Sequence, residues 1–199
     1  MSNRELLDNV ATEVVVCPKC RLWKTRTKAV PGVGNPESRL VLIGEAPGRS
    51  EDIVGEPFVG AAGKFLDALL FEIGFSRAEV FITNIVKCRP PENRDPQPDE
   101  IETCTPYLNR QIGIIQPAAI VTLGKHSTAY VFNKAKIPFH SITQAHGKMY
   151  EADILGMKIM VFPTFHPAAA LYNARYESQI REDFQAIRKE LLKRNLVKP

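Results

Sequence analysis

Residues 40–63 read LVLIGEAPGRSEDIVGEPFVGAAG, an apolar run that enters a stretch holding five glycines, at 44, 48, 55, 60 and 63. The run LVLIG is apolar at successive positions rather than alternate ones, the pattern of a strand covered on both faces in a parallel sheet. Beyond the loop, Phe65, Leu66, Leu69, Leu70 and Ile73 recur at helical spacing and stop at Gly74, a C-terminal cap. A strand that turns through a glycine-rich loop into a helix is the opening unit of an α/β fold.

Three more apolar runs have the same character: residues 80–86 (VFITNIV), 118–124 (AAIVTLG) and 158–162 (KIMVF). Helical patterns lie between and after them. Ile101, Leu108 and Ile112 share a face behind Pro98, which suits a first-turn position. Ile180, Phe184, Ile187 and Leu191 mark a closing helix. The expected architecture is α/β: a central, mainly parallel four-stranded sheet flanked by helices, with residues 1–199 forming one domain. The stretch KMYEADILGMKIMVF predicts a hairpin turning at Leu155–Gly156, so the last strand gains an antiparallel neighbour. Pro90, Pro91, Pro96 and Pro98 make the segment after the second strand a stiff loop without regular structure.

With 199 residues, 44% hydrophobic and 24% charged, the chain has an ordinary soluble composition and enough length for a real core. Its formal net charge of +4 is compatible with nucleic acid without requiring it. The opening residues lack the basic start, continuous apolar core and cleavage site of a signal peptide, and no apolar run is long enough to span a bilayer. A cytoplasmic protein with no membrane partner is expected. In that compartment its four cysteines read as metal ligands or buried thiols rather than disulfides.

In open parallel sheets, ligands bind outside the carboxyl ends of the strands. Here those ends carry Glu45, Asn84 and His166, while the third strand stops at Gly124 before Lys125 and His126. Taken singly, Glu45 reads as a loop acid, Asn84 as a turn-stabilising amide and His166 as a helix cap. Together, a carboxylate, a carboxamide and an imidazole at one sheet edge point to a site. The glycine-rich loop fails the phosphate-binding patterns. Gly63-Lys64 is followed by Phe65 instead of Ser or Thr, and no G-x-G-x-x-G links the first strand to its helix. Phe58 lies among glycines and prolines, outside any helical stripe. A carboxylate, an aromatic ring and close-approach glycines suit a flat heterocycle better than a triphosphate.

Cys17 and Cys20 have C-x-x-C spacing, which lets two thiolates hold one metal centre; Cys88 and Cys104 stand far off in sequence. No strand and helix flank Cys17 as in a redox C-x-x-C. Spacing alone leaves zinc and an iron–sulfur cluster both open.

These segments together resemble the family-four, iron–sulfur uracil-DNA glycosylases of bacteria and archaea. The resemblance covers residues 17–67 (CPKCRLWKTRTKAVPGVGNPESRLVLIGEAPGRSEDIVGEPFVGAAGKFLD), 83–108 (TNIVKCRPPENRDPQPDEIETCTPYL) and 162–171 (FPTFHPAAAL). It implies a 4Fe–4S cluster on Cys17, Cys20, Cys88 and Cys104 and excision of uracil from DNA by a monofunctional enzyme. In that chemistry Phe58 would stack on the extruded ring and Asn84 would pair with uracil N3 and O4. His166 would donate to O2 with help from amides near Glu45 and Ala46, Glu45 would serve water or the cationic sugar, and Glu51 would crowd the C5 side against thymine. The partner is uracil-containing DNA, with a sliding clamp or other repair proteins as candidates, and a monomer is expected. The alternative is a non-catalytic iron–sulfur DNA-binding or sensor protein of the same fold.

The chain also departs from relatives. Other uracil glycosylases place an aspartate two residues after the first glycine of this motif, where this chain has Ala46. Many relatives continue HPAALLRNP, whereas HPAAALYNA puts Tyr172 at a basic position and Ala174 at a proline. GEAPG instead of GEQPG, without a His-containing basic insertion, implies turnover rather than covalent trapping.

Overall fold

The computed structural model describes residues 1–197, so the end of the expected 1–199 domain lies outside the described residues. Six strands form one sheet: β1 (Val33–Gly34), β2 (Leu40–Gly44), β3 (Phe81–Asn84), β4 (Ala119–Leu123), β5 (Tyr150–Ile154) and β6 (Met157–Thr164), in the spatial order β1-β3-β2-β4-β6-β5. The four expected strands are its parallel centre, with Leu42 opposite Ile82 on one side and Val121 on the other, and Val121 opposite Phe162.

The expectation of a four-stranded sheet is corrected to six by two antiparallel edges. The hairpin forms as expected: Leu155 and Gly156 both take positive φ between β5 and β6. The other edge, β1 against β3, has only two residues, too few for any periodic signal. Its Gly34 is obligatory, because a Cβ there would lie 2.0 Å from the Val80 carbonyl oxygen.

Parallel strands need crossovers, and helices supply them. α2 (Arg49–Val54) and α3 (Ala61–Glu72) join β2 to β3. α4 (Pro98–Ile115) crosses to β4, and α5 (Lys125–Lys134) and the short α6 (Ile142–Ala145) lead to β5. α3 ends in a Schellman motif: Phe75 N–H donates to the Leu70 carbonyl and Gly74 N–H to that of Phe71, with Gly74 at φ +87°. α4 begins with Pro98 at its first position, as expected. Within the proline-rich loop, residues Pro91–Asn93 form a short 3-10 turn. Among the described residues no helix is long and apolar enough to cross a membrane.

Each sheet face has its own core. Leu66, Leu69 and Leu70 of α3 and Ile180, Phe184 and Ile187 of α7 (Ala174–Lys193) cover one face. Leu108 and Ile112 of α4 with Val131 and Phe132 of α5 cover the other. A third cluster joins Val10 and Val14 of α1 (Asn3–Val16) to Leu22, Val86, Tyr107 and the cysteines. α1 has no counterpart in the sequence-based reading, although Ser2 and Glu5 form its capping box.

The topology leaves one crevice. β2 connects towards β3 and β4 towards β6, so their carboxyl ends diverge into opposite crossovers, the arrangement at which open α/β sheets bind ligands.

Candidate functional site

A cleft of about 470 Å³ opens at that crevice, and Glu45, Ala46, Glu51, Phe58, Asn84 and His166 all line it. Every base- or sugar-facing residue expected from the sequence is therefore brought to one place.

Gly44, the last residue of β2, makes the assembly fit. A Cβ on Gly44 would stand 2.3 Å from Asn84 Oδ1 and 2.8 Å from two ring carbons of Phe58. Both side chains thus rest directly on the strand backbone. Phe58 has φ +53°, a left-handed conformation that costs on the order of 1–3 kcal/mol outside glycine. Two contacts hold it there. Gly63 of α3 lets the helix approach, since a Cβ would lie 1.8 Å from the Phe58 carbonyl oxygen. Glu51 Oε1 accepts the backbone N–H groups of Val59 at 2.9 Å and Gly60 at 3.1 Å. The Phe58 ring then faces His166, with centroids 5.6 Å apart and planes 24° from parallel.

Asn84 ends β3 and is 1% exposed, yet its Oδ1 has no hydrogen-bond partner among the described residues. Buried polar atoms are nearly always paired, so an orphan acceptor on a cleft wall is the mark of a ligand-facing group. His166 sits in the turn after β6. Its Nδ1 accepts the Ala168 N–H at 3.1 Å, which assigns the ring proton to Nε2. Burial pushes the imidazole down to about 4, against a smaller opposing pull from the Glu51 carboxylate. The ring is a neutral donor across the physiological range.

Glu45 follows Gly44. Burial pushes its carboxyl above the ordinary range; Asp95 adds to this, and His126 and Lys125 oppose it. His126 Nε2 lies 3.8 Å from Glu45 Oε2 and 2.9 Å from Asp95 Oδ2. The sequence reading gave His126 no role and passed over Asp95. The available signal was position: His126 stands three residues past the end of β4, by the same strand-end rule that selected Glu45 and Asn84. His146, also without a role, belongs to a structural network behind the site. Its Nδ1 lies 3.0 Å from Asp183 Oδ1, Thr164 Oγ1 donates to Asp183 Oδ2 at 2.6 Å, and its ring packs on Phe165. At the mouth of the cleft Leu171 and Tyr172 project, the latter 89% exposed.

The four cysteines are unpaired and come together beside the site: Cys17 after α1, Cys20 before a 3-10 turn, Cys88 past β3 and Cys104 in α4. Cys88 Sγ accepts from Arg26 Nη1 at 3.1 Å and Cys104 Sγ from the Lys87 backbone N–H at 3.2 Å. Zn–S bonds of 2.3 Å in a tetrahedron put sulfurs about 3.8 Å apart. No three of these sulfurs lie within 4.8 Å of one another; among the described residues only Glu45, Asp95 and His126 bring three ligand atoms that close. The four thiols gathered in one cluster form a donor set suited to a metal centre, and they are not drawn in to the spacing of a zinc tetrahedron.

Comparison with known proteins agrees with this geometry. The family model of the uracil DNA glycosylase superfamily matches residues 31–192. A type-4 uracil-DNA glycosylase of Saccharolobus solfataricus is 56% identical over 186 residues, 93% of this chain and 86% of that protein. One from Sulfurisphaera tokodaii is 55% identical over 92% of this chain and 83% of its own length. A third, from Archaeoglobus fulgidus, is 48% identical over 92% of both chains.

Proposed function

The chain belongs to the uracil DNA glycosylase superfamily, and on that premise we propose that it releases uracil from DNA by hydrolysing the N-glycosidic bond, leaving an abasic site for base excision repair. The observation that carries the residue roles is the buried, partnerless Asn84 Oδ1 in the same cleft as a neutral His166.

Uracil in a duplex is out of reach until its nucleotide rotates out of the stack. Phe58, clamped in its left-handed conformation, offers a ring face to the extruded base. Asn84 Oδ1 accepts from uracil N3–H while its amide nitrogen donates to O4. Cytosine presents the opposite pattern at both atoms, and each mispaired buried group costs about 1–3 kcal/mol. Discrimination follows from a carboxamide whose oxygen has no other partner among the described residues.

As the glycosidic bond breaks, uracil gains negative charge and the sugar becomes cationic. His166 Nε2–H donates to O2 and stabilises the departing anion, with amides near Glu45 and Ala46 assisting. Because the ring is already neutral, it donates a hydrogen bond rather than a proton. Glu45, the acid beside the cleft floor where Ala46 replaces an aspartate, positions water against the cationic sugar. Glu51 lines the cleft and bonds the amides that follow Phe58, and its assigned role is to crowd the C5 side of the base against thymine. A non-catalytic sensor would have no use for an orphaned acceptor and a neutral donor in one cleft.

The thiol set supports a 4Fe–4S cluster on Cys17, Cys20, Cys88 and Cys104. Such a cluster would supply cross-linking rather than reaction chemistry, tying α1 and the segment after it to β3 and α4. The test is incubation with matched oligonucleotides containing uracil, thymine or cytosine, followed by alkaline cleavage of abasic sites. Cleavage is expected at uracil only; an intact uracil strand refutes the proposal.

A further inference from the structure

Glu45 is assigned to hold water, yet no hydrogen bond holds Glu45. Its carboxylate accepts none among the described residues, and Ala46 beside it offers no second acid. What reaches it comes from outside the cleft. His126 Nε2 lies 3.8 Å from Glu45 Oε2 and 2.9 Å from Asp95 Oδ2. The three groups are delivered by separate elements: the end of β2, the first turn of α5 and the proline-rich loop. Glu45 lines the cleft, whereas His126 and Asp95 do not.

Both supports are fixed. The Gly124 carbonyl accepts from Thr128 Oγ1 at 2.7 Å and Ser127 Oγ at 3.2 Å, and the hydroxyls of Thr128 and Thr122 meet at 2.8 Å, which ties the first turn of α5 to β4. A Cβ on Gly124 would lie 3.1 Å from that of His166, so His126 rides on backbone packed against the turn that carries the leaving-group donor. In the loop, Arg94 donates to the Asp95 carbonyl at 2.9 Å while its guanidinium pairs with the buried Glu100 at 2.6 Å.

An ionised carboxylate can only accept, so the 2.9 Å contact puts the ring proton on Nε2. Asp95 thereby fixes the tautomer and orientation of the imidazole, as a carboxylate does for a histidine in a catalytic triad. The Glu45 and Asp95 oxygens lie within 4.8 Å of each other, where like charges repel. An N–H beside both offsets that repulsion. Asp95 is 71% exposed, and an ion pair so open to water contributes little to stability. The arrangement serves orientation better than folding.

We propose that Asp95 and His126 form a dyad that positions Glu45, with the His126 ring holding the carboxylate towards the cleft where it meets water. This deepens the reading of Glu45 as the water-holding acid and rests on it. Around Glu45, burial opposes ionisation, His126 favours it, Asp95 opposes it and Lys125 favours it. Arg49 and Glu51 of α2, Arg94 of the loop and His166 line the same cleft.

The test is single-turnover uracil release across pH, with enzyme in excess, in His126→Ala, Asp95→Ala, the double variant and His126→Gln, beside thermal melts and gel shifts. A misplacement of about 1 Å costs about 10²-fold, so H126A is expected to be slower by about 10–100-fold with DNA affinity unchanged. Its acid limb is expected to move to higher pH, because a group that favours ionised Glu45 has gone. D95A is expected to slow release too, and the double variant to be no slower than H126A, because the two residues act as one unit. H126Q keeps a side-chain N–H donor and is expected to recover part of the rate. In a Glu45→Gln background, H126A is expected to cost nothing further.

A wild-type rate and acid limb in H126A overturns the proposal. So does a slow H126A whose limb stays in place and whose cost persists in E45Q, the pattern of a merely structural residue. If H126A does not fold, D95A and H126Q decide: wild-type rates and limbs in both overturn the dyad, and a slowed D95A with a displaced limb in H126Q supports it. Uracil left intact by the wild type would instead refute the glycosylase reading, and a wild-type rate in E45Q the role of Glu45. Both are distinct from an active, Glu45-dependent enzyme with an indifferent H126A.

Discussion

Gly44→Ala is the most demanding test of how the cleft is built. The added Cβ would stand 2.3 Å from Asn84 Oδ1 and 2.8 Å from the Phe58 ring, where ordinary contact begins at 3.4 Å. The carboxamide must therefore retreat by about 1 Å, and a misplacement of that size in a reacting complex costs about 10²-fold. Phe58 has nowhere to follow, since Gly63 and the Glu51-bound amides fix its backbone. Overpacking of this kind destabilises by about 1–3 kcal/mol, and each kcal/mol lowers the melting temperature of a chain this size by about 2–4 °C. The assay is single-turnover release of uracil from an end-labelled oligonucleotide with enzyme in excess, beside a thermal melt. The expected result is a rate lower by about two orders of magnitude in a protein that still folds. Gly113→Ala is the control: a Cβ there meets nothing within 4 Å, so it should leave the rate alone and stabilise the helix by about 0.5–1 kcal/mol. A wild-type rate in G44A would show that Asn84 and Phe58 do not read the base from where they rest.

His166→Ala is expected to slow uracil release by about 10²–10³-fold, the effect of losing one oxyanion donor, with little change in DNA binding by gel shift. Because His166 titrates near 4 and Glu45 above the ordinary carboxylate range, the acid limb of the rate profile belongs to Glu45; Glu45→Gln should lower the rate and flatten that limb. The folded-state pKa of His166 lies below its ordinary 6.5, so the unfolded chain binds the extra proton between about 4 and 6.5. Stability from this residue is whole above that window and is lost as pH falls through it. Urea titrations at pH 4.5 and 7 should show a smaller difference in His166→Gln than in wild type. Asn84→Asp should release cytosine where wild type does not; cytosine left wholly untouched would refute the pairing assigned to Asn84.

The parallel core was legible because LVLIG, VFITNIV, AAIVTLG and KIMVF place apolar residues at successive rather than alternate positions, the pattern of a twice-covered strand. What escaped notice lacked such a pattern. β1 has two residues, and its pairing depends on the room left by Gly34. α1 buries only Leu7, Val10 and Val14, a narrow stripe beside exposed Val15 and Val16, although its capping box at Ser2 and Glu5 was in plain view. In the site, Glu45, Asn84 and His166 followed from strand ends alone. Asp95 did not, because it reaches His126 from the proline-rich loop, and a partner supplied by an irregular segment has no fixed spacing to read.

The glycine-rich loop illustrates how similar sequence grammar serves opposite chemistry. A loop that opens a helix ordinarily offers free amides and a positive dipole end to phosphate. Here the amides of Val59 and Gly60, just before the first turn of α3, are already taken by the carboxylate of Glu51, which α2 delivers from within the same loop. The chain has put its own anion at the head of the helix. A phosphate arriving there would meet both an occupied donor pair and a like charge. What remains open is the Phe58 ring that those bonds hold in place, and beyond it an acceptor and a neutral donor. That surface repels an anion and matches an uncharged, planar ring with one N–H and two carbonyl oxygens. Glu51 is thus the residue that turns a phosphate cradle into a base pocket, and its loss should unclamp Phe58 before it alters any selectivity at C5.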